Sequence, residues 1–181
     1  MRIVLLTGFP GVGKTTMAKK IADNLVARGL KVAGITTSEV RENGQRIGFR
    51  ITDLSTGEEG WLARKESSGG PRTGSYRIVM DDLERIGVEA LRKLIRGGID
   101  FAIIDEVGPM EMTSSSFRYS LREVFHGSQA TLVTVKLGSR YEEIDAIRNE
   151  CLQLELTSRN REEVYANLTD QINNWMVPDG K

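Results

Sequence analysis

Gly8-Phe9-Pro10-Gly11-Val12-Gly13-Lys14-Thr15 is the stretch on which the fold of this 181-residue chain turns. Glycine, four variable positions, glycine, lysine and a hydroxyl residue follow one another at the spacing of a phosphate-binding loop. The flanks suit it. Residues 3–6 are a short continuous apolar run that reads as a buried strand, and Met17, Ala18, Ile21, Ala22, Leu25 and Val26 recur at helical spacing. Gly29 ends that helix, and residues 31–36 return as a second strand. Glycines let the backbone curl with its N–H groups pointing inward, a nest for phosphate oxygens at a helix N-terminus. Lys14 brings a compact charge to the β/γ-phosphates, Thr15 offers its hydroxyl to Mg²⁺, and Thr16 is placed to touch the α-phosphate. A chance glycine-rich turn is the bland alternative, and the full motif in this context argues against it.

Beyond that strand-loop-helix unit, apolar runs alternate with amphipathic stretches, the pattern of β-α units around a buried parallel sheet. Strands are expected at residues 101–104, 130–135 and 152–156, and helices at 114–125, 141–148 and 161–175. Asp81 is expected to cap a helix that runs to Arg96 and stops at Gly97-Gly98. Residues 38–79 have a different texture, rich in glycine and charge, with short alternating segments. Asn43-Gly44 is a strong turn signal, and a β-hairpin is expected there. Ser67-Ser68-Gly69-Gly70-Pro71 reads as a mobile surface loop. The whole segment 38–79 reads as an antiparallel insertion on one domain spanning 1–181, because it is too small to bury a core of its own. The expected fold class is three-layer α/β, with a mainly parallel central sheet and this antiparallel β-hairpin insertion.

The second half of the site is expected where the apolar run of residues 101–104 ends in Asp105-Glu106. A buried strand ending in aspartate is the usual way to position the carboxylate that orients Mg²⁺, so Thr15 and Asp105 are the expected metal ligands. A glutamate beside it can hold and polarise a water in line with the γ-phosphate; the bland reading of Glu106 is a solvated loop charge. Ile103, Ile104, Val107 and Gly108 flank the pair and are expected to complete the nucleotide site. Glu111 reads two ways, as a second acid near the water or as a surface carboxylate paired with an arginine.

Bulk properties exclude several classes. Basic and acidic residues balance at 25 each, so no net field recruits nucleic acid or an anionic membrane. The single Cys151 excludes an internal disulfide and any multi-cysteine metal site, and reads as a buried structural thiol. The single His126, beside Gly127 at a helix end, reads as a surface or capping residue. Residues 3–6 are too short for a signal segment, and no apolar stretch approaches the ~20 residues of a membrane span, so a cytoplasmic location is expected.

Three further blocks narrow the family. Gly34-Ile35-Thr36-Thr37-Ser38-Glu39-Val40-Arg41, Gly44-Gln45-Arg46-Ile47-Gly48-Phe49 and Asp105-Glu106-Val107-Gly108-Pro109-Met110-Glu111, together with residues 8–16, resemble the small P-loop nucleoside-triphosphatases of thermophilic microbes. The human cancer-related nucleoside triphosphatase belongs to that family. Gly74-Ser75-Tyr76, Ile147-Arg148-Asn149 and Asn160-Arg161 also fit, so the resemblance spans nearly the whole chain. It implies a Mg²⁺-dependent hydrolase of ATP, GTP and other nucleoside triphosphates with loose base preference. It also implies a fold related to the recombinase and adenylate-kinase branches of P-loop proteins. One segment departs from the family pattern: Thr134-Val135-Lys136-Leu137-Gly138-Ser139-Arg140 stands where relatives often carry Gly-Thr or a histidine.

A cation meeting charge in the transition state speeds phosphoryl transfer, and Arg41, Arg46 and Arg140 are the candidates, each also readable as a surface salt-bridge residue; Arg46 is preferred among them because it lies inside the narrow family block. Arg161, which opens the last helix beside Asn160, reads two ways, as a contact to the base or ribose or as a charge that solvates the helix. A nucleotide or small-molecule kinase is the alternative to a hydrolase, but it needs an acceptor pocket and usually an arginine-rich lid. The only long loop, residues 66–74, holds Arg72 and no arginine cluster. A nucleotide switch is the third reading; no Asn-Lys-x-Asp guanine signature occurs. Residues 110–112 and Phe117 read as core at helical spacing or as a partner surface, and the sequence names no protein partner.

Overall fold

The computed structural model describes residues 1–65 and 69–176. The expected surface loop therefore falls partly, at Ser67 and Ser68, outside the described residues. The strands are β1 Ile3–Gly8, β2 Val32–Glu42, β3 Gln45–Asp53, β4 Glu59–Arg64, β5 Arg72–Thr73, β6 Tyr76–Ile78, β7 Phe101–Val107, β8 Ala130–Lys136 and β9 Leu152–Leu156. The helices are α1 Lys14–Ala27, α2 Met80–Asp82, α3 Glu89–Arg96, α4 Ser115–His126, α5 Glu142–Ile147 and α6 Arg161–Met176. A π-helical stretch, Leu83–Val88, joins α2 to α3.

The strands form one sheet in the order β5-β6-β4-β3-β2-β7-β8-β1-β9. From β2 to β9 every neighbouring pair is parallel, and from β2 to β5 every pair is antiparallel. The two regimes share β2, whose ladder with β3 begins at the Ile35–Asp53 pair while Val32 to Thr36 still pair with β7. The hairpin turn is the expected one: Asn43 and Gly44 take φ of 49° and 77°, the left-handed pair that a two-residue turn between twisted strands requires.

Successive side chains of a strand point to opposite faces, and the core divides accordingly. Ile3 and Leu5 of β1, with Ala102 and Ile104 of β7, pack under α3, α4 and α5. Val4 and Leu6, with Phe101 and Ile103, pack under α1 and α6. Helices thus cover both faces of the parallel strands, leaving only their ends for chemistry. The ends that matter are the C-terminal ends of β1, β7 and β8.

Three local expectations are corrected. Val26 is 59% exposed, because the 40° drift between positions four apart carries it past the edge of the stripe that buries Met17, Ile21 and Leu25. Asp81 does not cap: the helix begins at Met80 after Val79, and Asp81 points to solvent. Its neighbour Asp82 is the bonded one, accepting the Trp61 backbone N–H at 2.7 Å. Cys151 is half-buried against the core rather than sealed within it, and burial pushes its thiol pKa up. His126 is exposed at the end of α4, and Ser114 caps the start of that helix by accepting the Phe117 N–H at 2.9 Å.

Candidate functional site

The loop between β1 and α1 has the shape its glycines predict. Gly11 and Gly13 adopt φ of 77° and 111°, and Gly13 starts α1 without a side-chain cap, leaving the first N–H groups of the helix directed into the loop. Gly8 is required for closeness: a Cβ there would stand 2.7 Å from the carbonyl oxygen of Leu156 in β9. Phe9, Pro10 and Gly11 form an exposed crest. Lys14 is 5% exposed, and its ammonium donates to the carbonyls of Gly8 at 3.1 Å and Phe9 at 3.3 Å. Val12 and Thr15 are half-buried and Thr16 is exposed.

Asp105 sits two strands away, at the end of β7, and is fully buried. Its Oδ1 accepts the Thr134 hydroxyl at 2.6 Å, while its Oδ2 is buried without a hydrogen-bond partner. Burial raises its pKa, opposed by the Thr134 and Thr15 hydroxyls and by the Lys14 charge. Hydroxyl and carboxylate oxygens are the hard donors Mg²⁺ prefers, and the orphaned Oδ2 fits a cation partner. Among the described residues no group of three or more His, Cys, Asp and Glu forms a metal cage. Glu106 is half-buried; desolvation raises its pKa against the pull of Lys14 and Lys136. The Asp105–Glu106 peptide is cis.

The departing segment, which begins in the last residues of β8 and runs past its end, adjoins the candidate site. Thr134 holds Asp105, and the Leu137 N–H donates to the Gly8 carbonyl at 3.0 Å, tying the segment to the first residue of the loop. Sequence reasoning missed Thr134 because a threonine within a strand reads as ordinary β-propensity. For Glu111 the structure decides between the two readings and removes the surface one. It is 4% exposed, its Oε2 accepts the Gly108 N–H at 3.0 Å, and burial with the nearby Glu106 charge pushes its pKa up to about 8. Tyr141 is also pushed up, by burial and by the neighbouring Glu111.

Two cavities adjoin these groups. One, of 310 Å³, is walled by Gly11, Gly13 and Thr16 of the loop, by Lys20, and by Arg161 and Tyr165 of α6. Arg161 reaches the loop, its Nε donating to the Val12 carbonyl at 3.2 Å, and the Lys20 ammonium lies 3.8 Å from the Tyr165 ring centre. Tyr165 and Lys20 carry no motif, and only their i, i+4 positions relative to Arg161 and Thr16 could have pointed to them. The second cavity, of 170 Å³, lies beside Glu106 and Glu111.

Other expected residues are placed elsewhere. Ile103, Ile104 and Val107 are fully buried, with side chains in the two cores, so they hold the strand under Asp105 and Glu106 instead of facing a ligand. Gly108 is buried and bonded to Glu111. Arg46 pairs with Glu39 on the hairpin and lies over the Phe49 ring at 5.5 Å, and it lines neither cavity. Arg41 also bonds Glu39, at 2.7 Å, and Arg140 is 78% exposed with Asp145 3.5 Å away.

A strand-loop-helix cradle with a buried lysine, faced by an aspartate at the end of a covered parallel strand, defines a P-loop nucleotide-binding α/β protein. A family model described as NTPase matches residues 3–169, and the chain belongs to that family. It is 39% identical to the nucleoside-triphosphatase THEP1 of Methanosarcina acetivorans over 93% of this chain and 95% of that one. A THEP1 of Pyrococcus abyssi is 40% identical over 92% of this chain and 90% of its own. The crystal structure of THEP1 from Aquifex aeolicus superposes with a TM-score of 0.80 at 29% identity, covering 94% of this chain and 98% of that one. The solution structure of a human cancer-related nucleoside triphosphatase does so at 0.80 and 30%, covering 96% and 98%. Nucleoside-triphosphate hydrolysis is the class of activity that this membership carries, and the resemblance read from the sequence blocks stands.

Proposed function

We propose that the protein hydrolyses nucleoside triphosphates, ATP and GTP among them, to the diphosphate and phosphate in a Mg²⁺-dependent reaction with loose base preference. The observation that carries this reading is Glu106: a half-buried carboxylate directly after buried Asp105, within the electrostatic reach of Lys14. The loop N–H groups and Lys14 bind the phosphates, and Lys14 exchanges its bonds to the Gly8 and Phe9 carbonyls for phosphate oxygens. Thr15 and Asp105 would hold the magnesium ion, which when bound supplies charge neutralisation at the β- and γ-phosphates. Glu106 holds a water and takes its proton as the water oxygen attacks the γ-phosphorus. The bond from that phosphorus to the β–γ bridging oxygen breaks, and the diphosphate leaves.

The 310 Å³ cavity supports the reading of loose base preference. Its Tyr165 ring and Arg161 guanidinium offer stacking surfaces, and stacking is tolerant of base identity because every base has a π-face. No helix among the described residues is long and apolar enough to cross a membrane, and a cytoplasmic setting, where nucleoside triphosphates and magnesium are plentiful, goes with this reading.

The test is Glu106→Gln. Nucleotide affinity is expected to stay within about threefold while turnover falls by roughly 10²–10⁴, the usual contribution of a positioned base. Undiminished phosphate release from the variant would sink the role of Glu106.

A further inference from the structure

The cavity beside Glu106 is larger than hydrolysis requires. A water occupies about 30 Å³, and this space measures 170 Å³, with Thr37, Phe49, Leu62, Met110 and Glu111 among its other walls. Phe49, Leu62 and Met110 offer no hydrogen bonds to hold a file of waters there. A largely apolar recess, half open to solvent, with a few convergent polar groups can seat a small ligand, and 170 Å³, less than a drug-sized pocket, suits a body of only roughly ten non-hydrogen atoms. Leu62 is 1% exposed and Phe49 meets Tyr76 edge-on at 5.2 Å, so the walls are packed in place.

The polar groups set the chemistry of the occupant. Glu111, buried and bonded to the Gly108 N–H, holds its proton at neutral pH, since its pKa is pushed up to about 8. That leaves the Glu106 carboxyl, on the same wall, as the side chain that a hydroxyl can meet. No residue of the phosphate loop lines this cavity, so an occupant does not compete with the nucleotide for those walls.

We propose that this cavity is an acceptor site that takes a small neutral alcohol with an apolar body, its hydroxyl standing against Glu106 in place of the attacking water. The inference rests on Glu106 being the base of the hydrolytic reaction. The alcohol oxygen attacks the γ-phosphorus and the bond from that phosphorus to the β–γ bridging oxygen breaks. The hydroxyl proton passes to Glu106, and the nucleoside diphosphate leaves beside a phosphate monoester. With the cavity empty of alcohol, water takes the same path and gives inorganic phosphate.

The experiment is phosphorus NMR of the products formed by the full chain from ATP and Mg²⁺, with benzyl alcohol and isoamyl alcohol as probes. A monoester signal should rise with alcohol concentration and saturate, with inorganic phosphate per ADP falling by at least about half. Met110→Trp, which fills the space, should lower the ester-to-phosphate ratio at least ~10-fold. Should that variant misfold, methyl NMR of the unaltered protein decides instead: saturable shifts at Leu62 and Met110 with benzyl alcohol support the site, and their absence overturns it. Inorganic phosphate as the sole product at saturating alcohol would also overturn it. Hydrolysis that depends on Glu106 but yields no ester removes only the acceptor site. Hydrolysis that survives Glu106→Gln removes the base beneath it.

Discussion

Along β1 every residue is buried and along β8 all but the last, whereas β3 alternates among exposed, half-buried and buried positions down its length. The two strands lie in opposite halves of one sheet. The inner parallel strands β1, β7 and β8 are covered on both faces by helices and are largely apolar, while the edge strand β9 stays mostly exposed, and the polar groups Lys14, Asp105, Glu106 and Thr134 gather near the strand ends. The antiparallel half keeps one solvated side, laced with charge: Arg41 on Glu39 at 2.7 Å, Arg50 near Glu59 at 3.4 Å, and Arg50 and Arg64 over the Trp61 ring at 5.0 and 4.4 Å. Its buried side lends Phe49 and Leu62 to the cavity beside Glu106. The lesson is a division of labour in which the helix-covered half holds the groups proposed to react and the ribbon shapes the space next to them.

If that division is right, the most damaging change belongs in the parallel half, at the seam with the ribbon. Gly34 has φ of 124°, and a Cβ there would lie 1.9 Å from the Ile103 carbonyl oxygen in β7. Gly34→Ala should destabilise the protein by more than ~4 kcal/mol, read by chemical denaturation; a loss below ~1 kcal/mol would mean that the seam yields.

Next in size is Glu111→Gln, which keeps an acceptor for the Gly108 N–H. Between pH 4.5 and about 8 the folded protein holds a proton on Glu111 that the unfolded chain releases. The stability this group contributes is therefore complete below pH 4.5 and lost as pH rises to about 8. Asp105, Glu106 and Tyr141 are the titratable groups that share this coupling. The variant should match the parent near pH 4.5 and exceed it by ~2–5 kcal/mol at pH 9, as thermal melts across that range would show. Parallel pH profiles would deny Glu111 its buried, proton-holding state.

Lys14→Ala removes one charge-assisted partner of the phosphates and should weaken nucleotide affinity roughly 10–100-fold by calorimetry, against little change in fold stability. The smallest effect is expected in the ribbon. Arg46→Ala breaks an exposed ion pair with Glu39 and should cost under ~1 kcal/mol, with turnover within about threefold. A fall of roughly 10³–10⁵ would instead make Arg46 the transition-state cation and erase the contrast between the halves.

Much of this was legible in the residues. The β1-loop-α1 unit, the Asn43-Gly44 turn and the Asp105-Glu106 strand end were readable because each depends on short-range chemistry: glycine torsions, helix periodicity, and an apolar run closed by acid. Burial of Glu111 was not, since a glutamate in Met110-Glu111-Met112 has the same local signature whether its carboxyl meets water or a backbone N–H. Nor was the Thr134–Asp105 bond, which joins residues 29 apart in sequence. The order of strands, with β8 set between the loop strand and the aspartate strand, is likewise invisible in any local window. Sequence alone settled where the glycine-rich loop and the helix after it would form, because backbone torsion and residue type are properties of neighbours along the chain. Packing settled which carboxyl is buried, which arginine is spent on a partner and where empty space remains, because desolvation and cavities arise only when distant segments meet.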